Sequence, residues 1–397
     1  MTGDQQLPLT GIRVVDFTQV YSGPCCTQML GDFGADVIKI ERPGTGDLSR
    51  TSFPDEGGLD NPVFFSINRN KRSVCVDTRT EEGRQVIYDL VLGADVVVSN
   101  FRAGVMDRIG FGYDKLREIN PRVIWASATG FGTEGPYQHK GGQDVLIQAY
   151  TGLMWRRASL DLPISVYATT MCDYTTGMHL AQGILLALLS RERTGEGQRV
   201  EVSMYDSMLH AQMQEACTQL NRGVEINWAA APLSGAFETT DGAVCMVGAF
   251  KENPLRDICV ALEIGEDLSE RAEFATMEKQ YEHRPELQRI FTERFAANST
   301  AYWMKRLEDQ DLLCAPVRTM EEALRDEQTI INKMIVETQH PTAGTIRALA
   351  NPLHLSGTPA RMDRVPPRLG EHDDEVLAEI GYDAPRISRL REQGVVA

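Results

Sequence analysis

The chain has 397 residues, 42% hydrophobic and 24% charged, with 40 basic against 56 acidic side chains and a net charge of −16. That length exceeds one compact core, so two domains are expected, and the composition is that of an ordinary globular protein. The acidic balance repels nucleic acid and anionic membrane, so neither is an expected partner, and an anionic ligand requires a local cluster of basic residues.

The N-terminus, Met1-Thr2-Gly3-Asp4-Gln5-Gln6, has neither the basic start nor the apolar stretch of a signal peptide. The strongest apolar run, Ile184 to Leu189, is too short to cross a bilayer. A reducing cytoplasm is the expected compartment. The β-branched run Ile12–Phe17 predicts a strand, Ser22-Gly23-Pro24 a break, and Cys25–Phe33 a helix. Ala35–Ile40, Ser73–Val76, Asp95–Ser99 and Arg122–Ser127 predict further strands, with a helix over Glu81–Leu92 whose apolar positions are Val86, Ile87, Leu90 and Val91. This alternation argues for an α/β fold, a doubly wound parallel sheet covered on both faces. Gly177 to Arg193 reads as a long helix whose Gly177, Ala181, Gly183 and Ala187 allow close approach, and Val200–Met204 as a strand.

Beyond Asn227 the pattern changes to a strand-rich patch, Gly235–Phe250, followed by polar helices. The expected division is a large domain over 1–226, a smaller α+β domain over 227–320, and a return segment over 321–397 that completes the large one. The eight cysteines form no C-x-x-C pair, which excludes zinc-knuckle and thioredoxin motifs and leaves free thiols, several in apolar runs such as Val244-Cys245-Met246. In the tail, His372 beside Asp373 and Asp374 reads as an acidic helix start; without a second histidine no metal site is expected.

The turn Arg42-Pro43-Gly44-Thr45-Gly46-Asp47 lacks the third glycine of G-x-G-x-x-G and follows the second strand, which excludes a nicotinamide or flavin site. P-loop, nucleophile-elbow and zincin signatures are absent too. Basic and amide side chains do gather at strand ends: Arg42, then Lys71 and Arg72, then Asn100, Arg102 and Arg108. Such loops line the ligand crevice of a doubly wound sheet, where a nucleotide-like polyanion fits, although surface loops commonly carry arginine and lysine in any case. Asp173, just ahead of the long apolar helix, is the candidate nucleophile, and on position alone it is equally a helix cap.

These segments resemble the class III CoA-transferase family, also called CaiB/BaiF, over nearly the whole chain. The landmarks are Gly11-Ile12-Arg13-Val14-Val15-Asp16-Phe17-Thr18, Ser22-Gly23-Pro24, Gly34-Ala35-Asp36-Val37-Ile38-Lys39-Ile40-Glu41, Asn70-Lys71-Arg72-Ser73, Ala128-Thr129-Gly130-Phe131-Gly132, Gln148-Ala149, Gly195-Glu196-Gly197-Gln198 and Leu369-Gly370-Glu371-His372. The resemblance implies an interlocked homodimer, CoA held at Arg42, Asn100 and Arg108, and Asp173 as the catalytic carboxylate. It implies no tightly bound cofactor, the CoA thioester being a substrate exchanged with carboxylic acids. The implied chemistry is acylation of Asp173 through a mixed anhydride and an aspartyl-CoA thioester, with a helix N-terminus lowering the carboxyl pKa.

Related racemases carry a histidine ahead of the aspartate of Gly142-Gln143-Asp144-Val145. Gln143 cannot take a proton at neutral pH, so the residues favour transfer over racemisation and leave Asp144 to orient site groups. Formyl-CoA:oxalate transferases have a glutamine where Tyr21 stands here. Arg156 and Arg157, adjacent and near the nucleophile in sequence, are candidates to clamp the second carboxylate of a dicarboxylic acceptor such as succinate; solvated surface arginines are the alternative.

Overall fold

The alternating pattern folds into a single parallel sheet in the computed structural model, which describes residues 6–52 and 60–397. In chain order the elements are β1 (Arg13–Asp16), α1 (Ser22–Asp32), β2 (Asp36–Glu41), α2 (Pro62–Phe65), β3 (Lys71–Cys75), α3 (Glu81–Leu92) and β4 (Val96–Ser99). There follow α4 (Val105–Arg108), α5 (Tyr113–Ile119), β5 (Ile124–Thr129), α6 (Asp144–Tyr150), α7 (Met171–Thr194), β6 (Arg199–Ser203) and α8 (Met204–Ala211). The strand order is β3-β2-β1-β4-β5-β6 and every pairing is parallel. The order reverses between β1 and β4, and ligands of such sheets bind outside the strand carboxyl ends at that point.

Both faces of the sheet are covered, as the β-branched strands require. Val15, Ile38 and Val97 face α3 and α5 through Val86, Ile87, Leu90 and Leu116. Val14, Val37 and Val96 face α1 and α7 through Leu30, Leu180, Ala181 and Ile184. Each such fully buried Leu or Ile contributes about 1.5–3 kcal/mol of burial. Thr80 caps α3 by accepting from Gly83 N, and Gly195, at φ +77°, ends α7 in the left-handed conformation that glycine tolerates.

Compact packing divides the chain into two units. The first contains the sheet and comprises the residues up to Thr151, Tyr167–Gln212 and Ile330–Ala397; the second comprises Gly152–Val166 and Met213–Thr329. In the first unit the chain returns as a hairpin, β10 (Ile335–His340) with β11 (Gly344–Leu349), and the tail packs Val376, Leu377, Ile387 and Leu390 onto the α3 side of the sheet. His372 is a structural residue here, its Nδ1 accepting from Ser73 N. Asp373 begins the tail helix Asp373–Glu379 and accepts from Cys75 N at 2.8 Å. Val396 then bridges to Val76, and Asp77 N donates to Val395 O.

The second unit holds a three-stranded antiparallel sheet, β7 (Ser234–Glu238), β8 (Ala243–Val247) and β9 (Leu313–Pro316), around Phe237, Phe291, Phe295 and Trp303. One thiol departs from the burial read from its apolar neighbours. Val244 and Met246 are buried, but period-two alternation turns Cys245 outward. Among the described residues no helix is long and apolar enough to cross a membrane, and no group of three or more His, Cys, Asp or Glu converges as a metal site.

Candidate active site

Asp173 lies inside the first turn of α7, not ahead of it; the helix begins at Met171. α1 and α7 cross closely at Gly177, where an added Cβ would stand 2.5 Å from Ser22 O. That crossing brings the start of α1 to the nucleophile. Ser22 stands near enough to the Asp173 carboxyl to lower its pKa, and Asn100 Nδ2 donates to Ser22 Oγ at 3.4 Å.

A second carboxylate supports the first. Asp144, at the start of α6, is buried and accepts the Asp173 backbone N–H at 3.0 Å. Its other oxygen accepts from Gln148 Nε2 at 2.7 Å, and the same amide holds the carbonyls of Tyr167 and Thr169. Asp144 thus orients the backbone that carries Asp173 instead of touching its carboxyl. Burial raises the Asp173 pKa to about 6, the Asp144 charge adds to the rise, and Ser22 opposes both. The direction is opposite to that expected from a helix N-terminus, because loss of water outweighs the dipole here. The group is still mostly ionised at neutral pH.

Tyr21 adjoins the same carboxylate. It stands at the N-cap position of α1, and its pKa is raised by burial and then by Cys25, Tyr174 and Asp173, with Thr170 opposing the rise. Gln143 is exposed at the N-cap position of α6 and makes no side-chain cap.

Two cavities open at the carboxyl ends of the strands, both lined by Phe101. One, of about 250 Å³, is lined by Arg42, Gln19, Arg79 and Val105. The other, of about 280 Å³, is lined by Arg102, Arg108, Tyr113, His139 and Arg199. The second cavity carries three arginines against Asp107 and Glu201, an excess of positive charge that suits an anionic ligand, whereas the first balances Arg42 and Arg79 with Glu41 and Asp77.

The chain matches the profile of CoA-transferase family III over residues 9–373. The chain belongs to this family. It is 35% identical to the formyl-CoA:oxalate CoA-transferase of Rhodopseudomonas palustris, with 98% of this chain and 97% of that protein aligned. It is 32% identical to the succinyl-CoA:glutarate CoA-transferase of Mus musculus, covering 99% and 91% respectively. Its fold superimposes on a CaiB/BaiF family protein from Brucella suis with a TM-score of 0.84 at 31% identity, over 95% of this chain and all of that one. The protein is therefore an enzyme, a family III CoA-transferase whose substrates are CoA thioesters and carboxylates.

Not every basic residue singled out in the sequence of this transferase lines one of these two cavities. Lys71 is fully buried, bonded to Pro24 O and Asn68 Oδ1 and paired with Asp16 at 3.2 Å; burial lowers its pKa to about 8 despite that partner. Arg72 is buried against Asp36, Glu375 and Glu379 and ties the tail helix to the sheet. Both are spent on internal ion pairs, because they stand at the start of β3 and not at its carboxyl end. Asn100 is spent as well: Oδ1 accepts Gln19 N and Nδ2 donates to Gln19 O. Arg156 and Arg157 fall in the second unit. Arg156 is paired with Glu215 and Glu225. Arg157 donates to the carbonyls of Trp155 and Leu160 and stacks over the Trp155 ring, so no carboxylate neutralises it in these contacts. Sequence reading missed Ser22 and Gln148 as site residues. Ser22 was visible only as part of a Gly-Pro break.

Proposed function

We propose that the enzyme moves CoA from an acyl-CoA, with succinyl-CoA as donor, to a dicarboxylic acid acceptor by transient acylation of Asp173. The ionised carboxylate attacks the thioester carbonyl, the C–S bond breaks, and CoA leaves as thiolate with an acyl–aspartyl anhydride behind it. The thiolate attacks the aspartyl carbonyl and expels the donor acid, leaving an aspartyl-CoA thioester. The acceptor carboxylate attacks that thioester and again releases thiolate, which takes the acceptor acyl group and regenerates Asp173. Backbone N–H groups stabilise the tetrahedral oxyanions. The observation that carries this reading is a carboxylate with a pKa of about 6, ionised at neutral pH, its backbone fixed by a second buried carboxylate.

In this reading Arg42, Arg102 and Arg108 take the CoA phosphates, the functional form is an interlocked homodimer, and the compartment is the cytoplasm. The dicarboxylic acceptor rests on the relatives, which are named for oxalate and glutarate. The test is turnover with succinyl-CoA and a panel of mono- and dicarboxylates, quenched with hydroxylamine. New thioesters and a hydroxamate at Asp173 are expected. Deuterium at carbon two of a chiral 2-methylacyl-CoA in heavy water, without acyl exchange, points instead to racemisation.

A further inference from the structure

The turn between β1 and α1 is held at Thr18, Gln19 and Val20 by buried and half-buried side chains. Asp16 Oδ1 accepts Thr18 N and Thr18 Oγ1. Lys39 Nζ donates to Thr18 O at 2.7 Å. Asn100 takes both polar backbone groups of Gln19. Asp47 Oδ1 accepts Val20 N at 3.0 Å. Asp47 Oδ2 in turn pairs with Lys39 at 2.7 Å, both side chains having no exposed surface. Asp47 is itself fixed, its N–H donating to Glu41, which Arg50 grips through two nitrogens.

This investment surrounds a backbone that resists its own conformation. Val20 has φ +65°, a left-handed geometry that a β-branched residue rarely adopts. Its side chain is 41% exposed, so core packing of that side chain is not what holds it there. The next two residues are Tyr21 and Ser22; Ser22 O lies against α7 at Gly177, one turn on from Asp173, and both residues interact electrostatically with the Asp173 carboxyl. Strain of this kind persists only where the surroundings over-determine it, and it gathers at functional sites.

We propose that Asp47, buttressed by Lys39, is a positioning residue for the transfer reaction: it holds Val20 left-handed and so sets Ser22 and Tyr21 against the Asp173 carboxylate. The inference rests on the reading of Asp173 as the acylated group. A pair so deeply buried also stabilises the fold, so the test must separate position from stability. The titratable groups facing Asp173 are Asp144 from α6, Tyr21 and Cys25 from the α1 end, and Cys172 beside it. Ser22 is the neighbour that lowers its pKa among the described residues, so displacing the turn moves the acid limb of kcat upward from about 6.

Val20→Pro is the sharpest perturbation. Proline fixes φ near −65° and removes the N–H that Asp47 accepts, at an exposed position that leaves the Lys39–Asp47 pair untouched. Val20→Gly is the matched variant, reaching φ +65° without steric cost. Asp47→Asn keeps the Val20 acceptor and loses the ion pair. Val20→Pro is expected to lower kcat on the order of 100-fold, the cost of about 1 Å of misplacement, to raise the acid limb, and to leave the KM for acyl-CoA within a few-fold. Val20→Gly is expected to keep most of the kcat that Val20→Pro loses, and to restore part of any loss when added to Asp47→Asn. Equal kcat and equal pH limbs in Val20→Pro and the native enzyme overturn the proposal. So does a loss of kcat in Asp47→Asn with an unmoved limb and no recovery on adding Val20→Gly. Hydroxylamine trapping on the native enzyme separates the two levels: no label at Asp173 refutes the acylation reading itself, whereas a label there with indifferent Val20 variants refutes only the positioning role.

Discussion

Replacing Asp173 by asparagine should make the folded protein more stable while abolishing transfer. The carboxyl pKa rises from an ordinary 3.8 to about 6 on folding. Between those values the folded state binds more protons than the unfolded chain, so stability falls as pH rises and the full loss is present above pH 6. At 1.36 kcal/mol per pKa unit the displacement corresponds to about 3 kcal/mol. Partial solvent access screens some of this, which leaves an expected gain of about 1–2 kcal/mol for Asp173→Asn at pH 8. The asparagine keeps an oxygen for Ser22 and the backbone N–H for Asp144, so no buried partner is stranded. The assay is thermal melting of both proteins at half-unit steps from pH 4.5 to 8.5. The difference in Tm should be about a third of its full size at pH 4.5, grow up to about pH 6, and reach a plateau of a few degrees. A flat difference across that range, or a variant less stable than the native protein at pH 8, would refute the electrostatic account of this site.

Three further outcomes follow from the same geometry. Asp144→Asn removes the neighbouring charge but not the burial, which is the larger cause; the acid limb of kcat should move down by up to about one pH unit, read from initial rates between pH 4.5 and 8. Arg102→Ala and Arg108→Ala should each raise the KM for acyl-CoA with kcat nearly kept, the signature of lost uniform binding, and flatten the dependence of kcat/KM on salt. Gly177→Ala forces a methyl to within 2.5 Å of Ser22 O, so it should cost about 1–3 kcal/mol of stability in chemical denaturation and depress kcat by parting α1 from α7.

The parallel sheet was legible because its signal is local. β-branched runs and a capped amphipathic helix announce themselves within a dozen residues, and Glu81–Leu92 forms over the predicted range. Asp173 was legible through resemblance and not through position, since an aspartate near a helix start serves as a cap at least as often. The roles of the charged residues were not legible. Lys71, Arg72 and Arg42 look alike as basic residues near strands. What separates them is which end of the strand each occupies, and whether a carboxylate far along the chain, such as Asp16 or Glu379, reaches it first. The sign of the Asp173 pKa shift was hidden for the same reason, because burial is set by neighbours that the local sequence does not contain. Asp47 read as an ordinary turn residue until its partner on β2 could be seen.

The closing contact between Val396 and Val76 has a consequence for synthesis. β3 is an outer strand of the parallel sheet, and the residues that cover the end of it leave the ribosome long after it. Some 320 residues must be translated before that covering arrives. A nascent chain that has completed all six strands therefore still presents an open edge, the kind of surface on which neighbouring polypeptides pair. Arrested or prematurely terminated products of this gene should be the species that chaperones must shield, even though every strand of the sheet is already present in them.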